Sequence, residues 1–211
     1  AGLEGSGVQD VFDALFGTRK LSGGTLRLDG QDYRPRSSAD AIRFGVASIP
    51  ADRRTEGLMM NRAVGENIVL VIIGRLAGRL GFVRDSAIAA TARQFIDRFR
   101  IRVANGEVQV ATLSGGNQQK VVLAKWLALK PLLLLLNDPT RGIDVGAKAE
   151  VHDVVRELAA EGVSILVWSS DAEELLGLCD RIVVLSDGAV AAELDPAHTG
   201  RRELTLAIVG G

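Results

Sequence analysis

Leu113-Ser114-Gly115-Gly116-Asn117-Gln118-Gln119-Lys120 is the stretch from which the rest of the chain can be placed. Ser114 suits a helix N-cap, and Gly115 and Gly116 carry no Cβ to hold a ligand off the backbone. Val121, Val122, Lys125 and Trp126 continue as a helix. Such a turn offers free N–H groups and the positive end of a helix dipole to an anion. The same four letters occur at Leu21-Ser22-Gly23-Gly24. There, however, Thr25-Leu26-Arg27-Leu28 follow in strand alternation and end at Asp29-Gly30, which makes that copy a connecting turn. Only the second copy opens a helix and leads on to an apolar run ending in Asn137-Asp138.

Composition narrows the class. The chain has 211 residues, 47% hydrophobic and 24% charged, enough to bury a real core as one large domain or a domain with an insertion. A net charge of −1 gives no electrostatic reason to expect nucleic acid as a partner. The single cysteine, Cys179, excludes an internal disulfide and fits a reducing compartment. Its neighbours Leu175, Leu176, Leu178 and Ile182 mark it as a small core residue rather than a reactive thiol. His152 and His198 lack companions at metal-ligand spacing. The apolar runs 68–73 and 132–136 are too short to span a bilayer, so any membrane role comes through a partner.

At the start of the chain, Gly2, Gly5 and Gly7 have the spacing of a phosphate-binding loop, G-x-x-G-x-G, running into a helix with an apolar face at Val8, Val11, Phe12, Leu15 and Phe16. The positions that would carry a lysine and a metal-binding hydroxyl hold Val8 and Gln9. The loop also calls for a preceding strand, so the parent protein is expected to continue upstream, with one or more amino-terminal strands missing here.

Further along, 25–28 and 31–33 read as a small strand-turn-strand element, and 44–49 as a strand closed by Pro50 and the polar segment 51–57. Ligand or partner contacts in an open α/β sheet gather at such carboxyl ends. From 64 to 103 the pattern is helical, with Ile88, Ala92, Phe95, Ile96 and Phe99 on one face. Leu132 to Leu136 reads as a strand buried on both sides. A helix with Ala147, Val151, Val154, Val155 and Leu158 inward follows, capped by Gly162. Next come a buried strand, 163–168, a helix opened by a Ser170/Glu173 capping box, and a hairpin around Asp187-Gly188 that closes the chain. Strand and helix alternating in this order mean a largely parallel sheet flanked by helices.

With these motifs in order, the chain resembles the nucleotide-binding domain of ATP-binding cassette (ABC) transporters over essentially its whole length. The resemblance rests on the P-loop remnant Gly2 to Gln9, the signature Leu113 to Lys120, the Walker B strand ending at Asn137-Asp138, and the D-loop within Pro139 to Asp144. The wording of the signature and of Asp138 to Lys148 is similar to the carboxyl-terminal, degenerate half of the tandem ATPase subunits of bacterial monosaccharide (ribose/galactose/xylose-type) importers. Nucleoside importers share it. The resemblance implies a P-loop NTPase-like α/β fold. A RecA-like ATPase core would span 1–62 and 104–211, with a carboxyl-terminal hairpin, and a helical subdomain would be inserted at 63–103.

The resemblance also assigns roles. Cassettes of this family stack head to tail, so Ser114, Gly115, Gly116, Asn117 and Gln118 would meet an ATP held by a partner half, with Asp144 of the D-loop at the seam. Gly2, Gly5, Gly7, Val8 and Gln9 would form a degenerate P-loop. Asn137 and Asp138 stand where the family has Asp and Glu, Ser170 where it has the switch His, and Ala51 where it has the Q-loop residue. No catalytic residue of its own site is therefore intact, and this half alone is expected to be inactive or very weak. ATP and Mg²⁺ would be held mainly by the partner. The implied partners are a second ABC ATPase half, tandem or dimeric, an integral membrane permease and, indirectly, a periplasmic sugar-binding protein, with no nucleic acid. The implied location is the cytoplasmic face of a bacterial inner membrane. The alternative is a non-catalytic soluble cassette used for dimerisation or regulation.

Overall fold

The computed structural model describes residues 1–78 and 81–210, so two positions of the expected helical insertion, Arg79 and Leu80, lie outside the described residues. In chain order it runs through helix α1 (Val8–Phe16), strands β1 (Arg27–Leu28) and β2 (Gln31–Asp32), helix α2 (Ser38–Arg43) and strand β3 (Val46–Ile49). A π-helical turn (Arg53–Gly57) leads to α3 (Val64–Val69), α4 (Ile73–Leu76), α5 (Asp85–Arg98) and α6 (Gly115–Leu127). Strand β4 (Leu133–Asn137), α7 (Val145–Ala160), β5 (Ser164–Trp168) and α8 (Ala172–Leu178) follow, then β6 (Ile182–Ser186), β7 (Ala189–Leu194) and α9 (Arg201–Val209). The chain divides into two compact units: Ala1–Ser48 with Leu132–Asp138 and Val163–Gly211, and Ile49–Pro131 with Pro139–Gly162.

The first unit is built on the sheet β3-β4-β5. β4 and β5 are parallel, Leu133 opposite Ser164 through Asn137 opposite Trp168, as the unbroken leucine run leads one to expect. Leu134, Leu135 and Leu136 are fully buried. Phe12, Tyr33, Ala41, Val46 and Leu135 form one core, with Val8, Leu15 and Phe16 packed on it. Val11, expected on the inward face of α1, is instead 41% exposed. Burial pushes the Tyr33 phenol up to about 12, while its hydroxyl donates to the Leu15 carbonyl. A second core joins Leu175, Ile182, Val184 and Leu204, with Cys179 half-buried against it.

Both Asp-Gly pairs behave as hairpin turns. Asp29-Gly30 and Asp187-Gly188 all have positive φ, the requirement of the tight turn that matches strand twist. Three local features differ from the expectation. Helix α2 was not foreseen; Ser37 caps it by accepting from the Asp40 amide. Helix α9 follows the hairpin and supplies Leu204 to the second core, so the hairpin does not close the chain. Helix α8 is capped by Asp171, whose carboxylate accepts from the Glu173 amide, and not by Ser170.

In the second unit, α3 packs against both α5 and α6. A Cβ on Gly65 would lie 3.1 Å from Ala92 Cβ and 3.2 Å from the Gly106 carbonyl oxygen, so a larger residue would have to push its neighbours by a few tenths of an ångström. Asn67, wholly buried, is satisfied on both amide atoms: it accepts from Met59 N at 2.8 Å and donates to the Met59 and Ala63 carbonyls. Helix α6 is buried almost throughout, including Gln118, Gln119, Lys120 and Lys125. α7 turns Val151, Val154, Val155 and Leu158 inward as its periodicity indicates, and Gly162 follows it with φ +91°. No helix among the described residues is long and apolar enough to cross a membrane.

Candidate functional site

The residues singled out from the sequence fall into two clusters, one in each unit. In the first unit the loop Gly2–Gly7 leads into α1, with Gly5 at φ +86° and Gly7, the N-cap, at φ +95°. That φ favours glycine at position 7, where a Cβ would also come within 3.1 Å of Gly188 Cα. Val8 turns into the core beside Phe12 and presents no charge to the loop.

The metal-hydroxyl position, Gln9, and the first Walker B position, Asn137, meet across the chain. Asn137 Nδ2 donates to Gln9 Oε1 at 2.9 Å, and Gln9 Nε2 donates to Asp13 at 3.2 Å. Asn137 Oδ1 and Ser6 Oγ are buried without a hydrogen-bond partner. A hard divalent cation needs anionic or free oxygen ligands in a near-octahedral array. The pair offers one free but uncharged oxygen, Asn137 Oδ1, while Gln9 Oε1 already accepts, so it lacks the anionic ligand and the array that fit Mg²⁺.

Asp138, 5% exposed and at φ +46°, is engaged as well. Its carboxylate accepts from the Ser170 amide at 3.2 Å and from the Ser170 hydroxyl at 3.0–3.1 Å. Ser169 Oγ donates to the buried Glu174 and accepts from Asp171 N at 3.0 Å. The expected switch position thus touches the expected Walker B position, but as a hydroxyl donor on a carboxylate, with no imidazole to carry a proton.

The second cluster surrounds the signature turn. Ser114 is the N-cap of α6, as its sequence reading has it, but makes no side-chain cap bond; its Oγ accepts instead from Asn117 Nδ2 at 2.9 Å. Asn117 Oδ1 in turn accepts from Arg102 N, and Gln118 Nε2 donates to the Leu113 carbonyl at 3.0 Å. The first bond of the helix runs from Gln118 N to Ser114 O, so the amides of Gly115, Gly116 and Asn117 precede the ladder, with Gly116 itself buried. Gly116 lies so near α7 that an added Cβ would fall 2.3 Å from Ala147 Cβ. Asp144 caps α7, accepting from Ala147 N at 2.9 Å. Lys120, 3% exposed, is held by Glu150, whose carboxyl this bond keeps below its usual range.

Ala51 is half-buried and brings no polar side chain. Two residues beyond it stands a cation that the sequence reading passed over. Arg53 donates from Nη1 to the Arg141 carbonyl at 2.7 Å and from Nη2 to the Gly142 carbonyl at 3.2 Å. Only its place in a polar segment at a strand's end hinted at it. Asp52 caps the same turn, its carboxyl held below the usual range by the amides of Arg54 and Thr55.

A model of the family described as "ABC transporter" matches residues 1–141. The ribose import ATP-binding protein RbsA of Chromobacterium violaceum is 43% identical over 211 residues, covering all of this chain and 42% of the relative. That of Geobacillus kaustophilus is 40% identical with the same coverage. The chain therefore spans less than half the length of these relatives. Among solved structures, the ADP conformation of an ATP-binding cassette of an ABC transporter superposes with a TM-score of 0.76 at 18% identity, over 99% of this chain and 82% of that one. A dimeric post-hydrolysis cassette bound to ADP and Pi gives 0.74 at 20% identity, over 92% and 83%. The parallel sheet with flanking helices is thus the cassette fold, and the chain belongs to the ABC transporter ATP-binding family, as a relative of the ribose import ATP-binding proteins.

Proposed function

We propose that this chain is an ATP-binding half of a bacterial monosaccharide importer, one that serves a nucleotide held by another half rather than one of its own. The observation that carries the reading is the contrast between the two clusters. Gln9 and Asn137 are neutral and bonded to each other where a cation would be coordinated. At the head of α6, by contrast, the amides of Gly115, Gly116 and Asn117 are unengaged at the positive end of a helix.

In this reading Ser114 Oγ and those amides receive the γ-phosphate of an ATP bound by a partner half, which also holds Mg²⁺. The metal would supply charge neutralisation at the phosphates. Asp144 fixes the start of α7 at the seam. The chain's own site lacks Lys at Val8, a carboxylate at Asn137 and an imidazole at Ser170. Deleting one transition-state donor typically costs about a hundredfold in rate, so several such losses leave turnover there negligible. The names of the relatives support sugar import, and with it a membrane permease, a substrate-binding protein outside, and a place on the cytoplasmic face of the membrane. We assign 63–103 as the inserted helical subdomain and 1–62 with 104–211 as the ATPase core.

The test has two arms. Labelled Mg-ATP should bind the isolated chain weakly; micromolar binding with turnover defeats the silent-site assignment. In the full-length transporter reconstituted with its permease, Ser114→Arg should abolish ATP hydrolysis, and unchanged turnover removes the role in trans.

A further inference from the structure

The guanidinium of Arg53 is placed with unusual definition for a residue of a polar loop. It reaches 88 and 89 positions along the chain to grip two successive carbonyls, Arg141 at 2.7 Å and Gly142 at 3.2 Å. A planar fork that donates two parallel bonds fixes both distance and orientation, which a single ammonium cannot do. The same Nη2 lies 2.8 Å from where a Cβ on Gly115 would stand, and the Gly142 oxygen lies 3.4 Å from that point. Arg53, the 141–142 carbonyls and the first residue of the signature helix therefore converge on one spot. Its Nε is buried without a partner, and burial lowers its proton affinity.

A cation beside a helix N-terminus is unfavourable on its own, because the dipole there is already positive. Two carbonyls offset part of that cost, and an anion arriving at the helix would offset the rest. The segment that carries Arg53 is fixed at its other end too, since Lys125 of α6 donates to the Gly57 carbonyl. An Asp52 cap sets the start of the turn.

From these contacts we infer that Arg53 is a positioning residue for the phosphate-receiving face: it locks the 141–142 backbone to the signature turn and adds positive charge beside Gly115. This rests on the proposed role of Ser114 to Asn117 toward a phosphate in trans, and it extends that role to the segment closing β3. It also supplies a link between that segment and the seam at Asp144, because the clamp holds the backbone directly preceding the α7 cap.

The test uses the full-length subunit with its permease and the variants Arg53→Ala and Arg53→Lys. In Arg53→Ala, amide hydrogen exchange should quicken about tenfold or more in peptides covering 139–146 and 113–118, and stay unchanged in 64–69 and 85–98. The kcat for ATP should fall about tenfold or more with KM within about twofold, since the nucleotide itself is held by the partner half. Arg53→Lys should recover little of either, because one ammonium cannot hold both carbonyls in place. Unchanged exchange in both peptides, exchange that quickens throughout the chain, or full kcat in either variant overturns the inference. Ser114→Arg in the same preparation separates the two ideas. If it leaves turnover intact, the role in trans fails while the exchange result still judges the clamp; if it abolishes turnover and Arg53→Ala keeps the wild-type kcat, only the clamp fails.

Discussion

Replacing Lys125 by methionine should change how the stability of this chain depends on pH, in a window set by one buried ammonium. Lys125 is 5% exposed, donates to the Gly57 carbonyl, and lies 5.1 Å from the centre of the Trp126 ring. Burial lowers its pKa from 10.5 to about 8. A displacement of that size is worth about 3 kcal/mol between the two protonation states. The sign follows from proton counting. From about pH 8 to 10.5 the unfolded chain holds a proton that the folded chain has released, so stability climbs with pH across that window. Below pH 8 both states are protonated and the gain is absent; above 10.5 it is complete.

The quantity to measure is the unfolding free energy of the wild type minus that of Lys125→Met, from urea titrations at half-unit steps between pH 7 and 11. Tyr33, whose pKa is raised to about 12, works in the opposite sense above pH 10, but it is common to both proteins and cancels in the difference. At neutral pH the two effects of the substitution oppose each other. Methionine removes the cost of burying charge, and it leaves the Gly57 carbonyl without its donor, which costs about 1–3 kcal/mol. The offset at pH 7 should therefore lie within about 2 kcal/mol of zero. The difference should then rise by about 3 kcal/mol through the window. A flat difference, or one that falls with pH, would refute the assignment of a buried, charge-disfavouring site to Lys125.

Two further outcomes follow from close contacts. Gly116→Ala should destabilise by about 1–3 kcal/mol, because the new methyl meets Ala147 Cβ, and adding Ala147→Gly should return most of that loss. Additive losses in thermal melts of the single and double variants would count against the contact. Ser169→Ala removes the hydroxyl that bonds the buried Glu174 and accepts from Asp171 N. At about 2 kcal/mol for leaving a buried polar partner unsatisfied, the melting temperature should drop about 4–8 °C, and an unchanged midpoint would contradict it.

Much of the fold was legible because local pattern and tertiary placement agree. An unbroken apolar run suits a strand covered on both faces, and Leu134 to Leu136 are fully buried, although Leu132 at its start is 49% exposed and precedes the strand. The spacing of Val151, Val154, Val155 and Leu158 marks the inner face of α7. Where the reading failed, the local signal was weak or shared. Helix α2 is six residues long, too short for a periodicity to emerge. Ser170 and Asp171 are both good caps, and Ser170 is drawn away by Asp138.

The chemistry available at each position was a matter of sequence alone. Val8 cannot carry a charge, Asn137 cannot bind a cation as a carboxylate does, and Gly115-Gly116 brings no side chain of its own over the backbone, whatever the fold. Which of these groups meet was decided only by tertiary structure. Gln9 and Asn137 are 128 positions apart, and Arg53 and Arg141 are 88 apart. Contacts at such separations come from the packing of whole elements against one another, and no spacing within the chain encodes them. The signature turn was recognisable from its residues, whereas the arginine that fixes its surroundings became visible only once the chain was folded.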